Sequence, residues 1–154
     1  MAINEQLRHY EHKLAFEIDS WDLKVGLEAG ENIVVIDARS PQAYQKQHIP
    51  GAINIPHRHM NQEATKHIVK AALVVTYCDG IGCNASTKGA LNMTKLGFRV
   101  KELMGGLEWW KRDGYATERG AANVTKSHTA EIEHRRITRR STGRAKAARR
   151  LTSR

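Results

Sequence analysis

Residues 72–86, ALVVTYCDGIGCNAS, run an apolar stretch directly into a cysteine-bearing loop, and few folds accommodate that order. Leu73, Val74, Val75 and Tyr77 are four strand-forming residues in five positions, the pattern of a short strand buried on both faces. Cys78 follows at once, then Gly80 and Gly82, then Ser86, whose hydroxyl is expected to cap a helix running to about Gly97. A thiol so placed lies at the carboxyl edge of a sheet, among loop N–H groups and before a helix N-terminus. Unpaired N–H groups and the positive end of a helix dipole both favour an anion. At such positions a cysteine pKa falls from about 8.5 into the roughly 3.5–7.5 range. Each unit is worth about 1.4 kcal/mol of preference for the thiolate. Cys78 is therefore a candidate nucleophile, and the loop a candidate cradle for a sulfur or oxygen anion.

Other segments supply the frame for this loop. Residues 4–16 place Leu7, Tyr10, Leu14 and Phe16 at helical spacing among charged residues. Asp19 or Ser20 starts a second helix carrying Trp21, Leu23, Val25 and Leu27, closed by Gly30. Residues 33–36 form an apolar run, the first buried strand. Ser40-Pro41 is a helix start, with a capping hydroxyl and proline at the first helical position. Pro50-Gly51 ends that helix, and 52–55 reads as a short strand stopped by Pro56. Residues 57–70 are polar and half helical. Residues 99–103 are a further strand, Gly105-Gly106 a tight turn, and 107–112 a last helix ended by Gly114. Strands alternating with helices predict an α/β fold with a parallel sheet covered on both faces.

Charge divides the chain in two. Residues 1–116 hold 14 Lys+Arg against 13 Asp+Glu, whereas residues 117–154 hold 11 against 3. The overall +9 thus belongs to the end of the chain. The expected organisation is a nearly neutral domain over 1–116, with 1–18 as a helical extension, followed by a basic, flexible tail over 117–154. The tail's RRITRRSTGRAKAARR offers phosphate contacts to a nucleic acid but no aromatic residue for base stacking. Two cysteines in one short loop do not tie distant segments together, and no run approaches the roughly 18 apolar residues of a membrane span. The sequence therefore predicts a cytoplasmic protein with no membrane partner.

Three blocks together resemble the rhodanese-like sulfurtransferase family over residues 4–116. They are VVIDARSPQAYQKQHIPGAINIP (34–56), with its Asp-x-Arg and His-Ile-Pro-Gly-Ala segments; the Tyr77-Cys78 loop with its helix; and GFRVKELMGGLEWWKRDGY (97–115). The resemblance implies a five-stranded parallel sheet. It also implies that Cys78 takes a sulfane sulfur from a donor such as thiosulfate and passes it, as a persulfide, to a thiol or cyanide, with no cofactor. The commonest single-domain members place a serine six residues after the cysteine and carry an arginine in the loop. Here Ser86 lies eight residues after Cys78 and no loop arginine is present. Loop size and charge decide which anion fits, so these departures bear on the donor.

Around Cys78, residues Asp79, Gly80, Ile81, Gly82, Asn84, Ala85 and Ser86 are expected to act mainly through backbone N–H groups, the glycines permitting a curled loop. Cys83 is either a resolving thiol for Cys78 or a small residue filling the loop. Four intervening residues with two glycines bring the pair within disulfide reach. A zinc site is disfavoured, because the loop supplies one cysteine pair and the nearest histidines in sequence are at 57, 59 and 67. Asp79 opposes a neighbouring thiolate unless it points to solvent. Asp37 and Arg39 suit structural pairing with each other or with the loop. Lys88 is either a cation near the sulfur anion or a solvated lysine, and His48, His57 and Arg58 are candidates for the mouth of the site. Trp109 and Trp110, adjacent on a helix, cannot both face inward. A cysteine phosphatase or arsenate reductase needs an arginine six residues after the cysteine, where this chain has Asn84. The remaining alternative is a non-catalytic module that binds a partner while the tail holds nucleic acid or an acidic surface.

Overall fold

The computed structural model describes residues 2–121. The expected basic tail from residue 122 onward lies outside the described residues. In chain order the elements are α1 (Ile3–Phe16), β1 (Glu17–Ile18), α2 (Ser20–Glu28), β2 (Ile33–Asp37), α3 (Pro41–Lys46) and β3 (Ile53–Asn54). A 3-10 turn (His57–His59) follows, then α4 (Gln62–Thr65), β4 (Leu73–Tyr77), α5 (Ala85–Lys95), β5 (Arg99–Leu103) and α6 (Gly106–Arg112). The five strands form one all-parallel sheet in the order β1-β5-β4-β2-β3.

The most apolar strands occupy the middle, as double burial requires. β4 pairs with β2 from Ile33↔Leu73 to Asp37↔Tyr77, and with β5 from Leu73↔Arg99 to Thr76↔Glu102. Alternation sends Val35, Val75 and Tyr77 to one face, where they meet Leu23, Tyr44, Leu107 and Trp110. Ile36 and Val74 go to the other, against Met60, Met93 and Phe98. Trp110 is buried and Trp109 half exposed, so the adjacent tryptophans do divide between core and surface.

Several elements depart from the sequence reading. The strand β1 has only two residues, too few to leave a periodic signal, and it joins the sheet through Glu17↔Glu102 and Ile18↔Leu103. Ser86 does not cap α5; that helix begins at Ala85 after Asn84, and neither side chain supplies a capping bond. The Ser86 hydroxyl instead donates to Glu102 Oε1 at 2.8 Å. The chain also remains bonded to the domain beyond residue 116. Glu118 and His48 exchange backbone hydrogen bonds, Gln47 donates to Thr117 Oγ1, and Gly120 N–H donates to the Gln45 carbonyl. The helix expected over 4–16 is present as α1; it buries none of its residues, and Ile3, Leu7, Tyr10, Leu14 and Phe16 are all exposed.

Candidate functional site

Cys78 follows the last residue of β4, the central strand, and is 2% exposed. The root of its loop is clamped by the start of α6. Leu107 N–H donates to the Cys78 carbonyl at 2.9 Å, and Glu108 N–H to the Asp79 carbonyl at 2.8 Å. Gly106, at φ +57, makes this approach possible, since a Cβ there would stand 2.3 Å from the Cys78 oxygen. At its far end the loop is held by Ser86, whose carbonyl accepts from Thr76 Oγ1 and whose hydroxyl reaches Glu102.

Between these anchors the loop curls through one turn, with Cys83 N–H donating to the Gly80 carbonyl. Among the described residues, the N–H groups of Gly80, Ile81 and Gly82 meet no protein acceptor. These are donors of the kind the sequence reading expected for an anion cradle. Cys78 and Cys83 are joined in a disulfide, with Cα atoms 6.1 Å apart. The donor atoms of Cys78, Asp79 and Cys83 lie within 4.8 Å of one another. With both sulfurs in the disulfide, and three donors against the four of a structural zinc site, the cluster does not fit that metal.

A network below the loop neutralises Asp79. Arg39 is 8% exposed and Asp37 fully buried; Arg39 Nη2 donates to Asp37 Oδ2 at 2.7 Å and to the Gln47 carbonyl at 2.6 Å. Its Nη1 donates to Asp79 Oδ1 at 2.8 Å. Burial works against the Arg39 charge, but the bonds to Asp37 and Asp79 outweigh it and raise the pKa. Tyr77, whose hydroxyl accepts from Ile49 N–H, is pushed up by burial and then by Asp37. The structural pairing expected of Asp37 and Arg39 is thus present. The pairing with the loop is made as well, at Asp79, forty positions from Arg39.

The remaining candidates sit elsewhere. His48 is buried, stacked on Tyr44 at 3.7 Å between ring centroids, and bonded through Nδ1 to the Tyr44 carbonyl; it does not line a mouth. Lys88 is exposed and close to His57. The His57 pKa is lowered by burial first and then by Lys88 and Arg58. Lys88, His57 and Arg58 lie outside the cleft beside the cysteine loop. That cleft, about 620 Å³, is walled by Ile81, Cys83, Glu102, Met104 and Trp109, among others. Of the two cysteines, Cys83 lines this cleft and Cys78 does not. Sequence reasoning did not find Glu102, Met104 or the β1 end, which reach the site only through the sheet order.

A cysteine loop at the carboxyl edge of a five-stranded parallel sheet, rooted on a following helix, defines a rhodanese-type domain. The chain belongs to the Rhodanese-like domain family, which matches residues 22–113. Among solved structures, the BH2092 protein of Bacillus halodurans is 44% identical, with a TM-score of 0.73 over 77% of this chain and 87% of that one. Among curated proteins, "HTH-type transcriptional regulator Rv0324" of Mycobacterium tuberculosis is 33% identical over 94 residues, 61% of this chain; the match spans only 41% of the regulator. "Thiosulfate sulfurtransferase GlpE" of Coxiella burnetii is 29% identical over 102 residues, 65% of this chain and 88% of that protein. The family match and the likeness to GlpE support the sulfurtransferase family, and no more than that. Among the described residues, no helix is long and apolar enough to cross a membrane.

Proposed function

We propose that the reduced protein is a sulfurtransferase or persulfide carrier acting through Cys78. The Cys78 thiolate attacks the outer sulfur of a sulfane-sulfur donor; the donor S–S bond breaks, and the leaving group departs with its electron pair. The open N–H groups of the loop stabilise the negative charge on the transferred sulfur. An acceptor thiolate then removes that sulfur and regenerates Cys78. With no acceptor present, Cys83 attacks the Cys78 sulfur, releases hydrosulfide and leaves the disulfide; a dithiol supplies the two electrons that reopen it.

The single observation that carries this reading is Cys78 at the end of the central strand, at the root of a loop in which the N–H groups of Gly80, Ile81 and Gly82 meet no acceptor among the described residues. The test is to reduce the protein, add a sulfane-sulfur donor and take an intact mass. A gain of one sulfur atom, mapped to Cys78 and removed by cyanide, is the expected result. A second reading, a binding module without transfer, is favoured by the likeness to a transcriptional regulator. A reduced Cys78 that gains no sulfur from any donor would select it.

A further inference from the structure

The cleft beside the cysteine loop carries four carboxylates, from Glu17, Asp19, Glu102 and Asp113, and, among the described residues, no lysine or arginine lines it. Cations near the loop are committed to other partners. Arg39 is held by Asp37, Asp79 and Gln47, Arg112 pairs with Glu108, and Lys88 stands by His57. The loop's own carboxylate, Asp79, is paired with Arg39 and does not line the cleft.

Two further observations point to a ligand. Glu17 and Glu102 are direct partners on neighbouring strands, a like-charge juxtaposition that costs stability. Glu17 has Lys13 at 2.5 Å, while Glu102 has, among the described residues, only the hydroxyls of Ser86 and Thr87. Ser20, 3% exposed, lines the same cleft, and its Oγ has no hydrogen-bond partner among the described residues. A buried hydroxyl without a partner is a cost that a bound polar group removes. Met104 and Trp109 give the cleft an apolar wall, and about 620 Å³ is the size of a small-molecule site.

We propose that this cleft selects the sulfur substrate by charge, taking an ammonium-bearing thiol or its persulfide in preference to a dianion such as thiosulfate. This deepens the persulfide reading and rests on it. The ammonium group meets the Glu17, Glu102 and Asp113 carboxylates, and the alkyl stem lies on Met104 and Trp109. For an aminothiol persulfide, Cys78 attacks the outer sulfur, the S–S bond breaks, and the aminothiolate leaves with the electron pair. A dianion entering by the same route finds the loop N–H groups but also meets the like charge of these carboxylates.

The test separates charge selection from sulfur transfer. In the full-length Cys78→Ser protein, reduced Cys83 is the cleft's lone thiol. It is treated with the aminoethyl, methyl and sulfonatoethyl methanethiosulfonates, with 2-mercaptoethanol as the reference. The cation-to-anion rate ratio should exceed the reference about tenfold at low salt and fall towards it at high salt. Asp113→Asn should lower the ratio about two- to threefold. A ratio at or below that of the free thiol overturns the proposal. In a second arm, the reduced wild-type chain is loaded with thiosulfate or with cysteamine persulfide. Faster loading from thiosulfate also overturns the proposal while leaving the persulfide reading intact. A raised ratio with no loading from either donor supports the cleft's preference for cations and defeats the transfer reading instead.

Discussion

Arg39 Nη1 and Asp79 Oδ1, 2.8 Å apart, tie the end of β2 to the first residue after Cys78. The two ends of this tether differ in environment, because the Asp79 side chain is 70% exposed and that of Arg39 only 7%. Water screens the Asp79 end, so Asp79→Ala should cost no more than about 1 kcal/mol. Arg39→Ala strands the fully buried Asp37 carboxylate without its cation, and should cost about 3–5 kcal/mol. Urea melts of the two variants check the asymmetry. Equal losses would mean that the Asp79 contact, not the Asp37 pair, holds Arg39 in place.

The two cysteines should separate by function. Cys78→Ser is expected to abolish sulfur loading. Cys83→Ser should still load sulfur and keep it longer when no acceptor is present, because no neighbouring thiol remains to expel hydrosulfide. Intact mass followed over time, with hydrosulfide release measured in parallel, checks both. Loading on Cys83 alone would reverse the assignment.

Gly106 offers a test of the loop's root. An added Cβ meets the Cys78 carbonyl oxygen at 2.3 Å and also suffers the positive φ. Gly30 has a similar φ of +72° with nothing within 4 Å, and so measures the backbone strain alone. Gly30→Ala should cost about 1 kcal/mol. Gly106→Ala should exceed it by about 1–3 kcal/mol and displace the cysteine loop. Thermal melts and a sulfur-loading assay read the two effects.

Alkaline stability follows from two tyrosines. Burial, followed by the charges of Asp37 and Glu118, pushes Tyr44 up to about 12, and burial raises Tyr77 as well. Above pH 10 the unfolded chain ionises these phenols while the folded chain keeps their protons, so folding stability falls as pH rises. The contribution is fully present below pH 10 and is lost towards pH 12 and beyond. Tyrosinate absorbance should show two phenols that resist ionisation until the fold gives way. Tyr44→Phe should weaken this dependence at the cost of the bond to the Ala52 carbonyl.

Much of this architecture is written in local sequence. The apolar runs around Val35 and Val75 announce central strands because double burial requires uninterrupted β-branched residues. Ser40-Pro41 announces α3 because the cap is a local bond, Ala43 N–H to Ser40 Oγ. The proximity of Cys78 and Cys83 was legible from spacing and glycine content. What depends on sheet order was not. Glu17 and Glu102 stand side by side although 85 positions separate them along the chain. The serine expected to cap a helix was drawn to that same Glu102. His48 was a candidate for the mouth by its loop position, yet its ring is spent on stacking against Tyr44.

The anchors of the cysteine loop carry an evolutionary consequence. Its entry is bound to α6 through the Cys78 and Asp79 carbonyls, and its exit to β4 and β5 through Ser86. Residues 80–84 between them contribute one turn and little buried surface. Lengthening so short a segment between fixed ends adds only a modest closure entropy, roughly 0.6 kcal/mol per doubling. Insertions and deletions can therefore accumulate there under selection for a new ligand without first having to survive a folding defect.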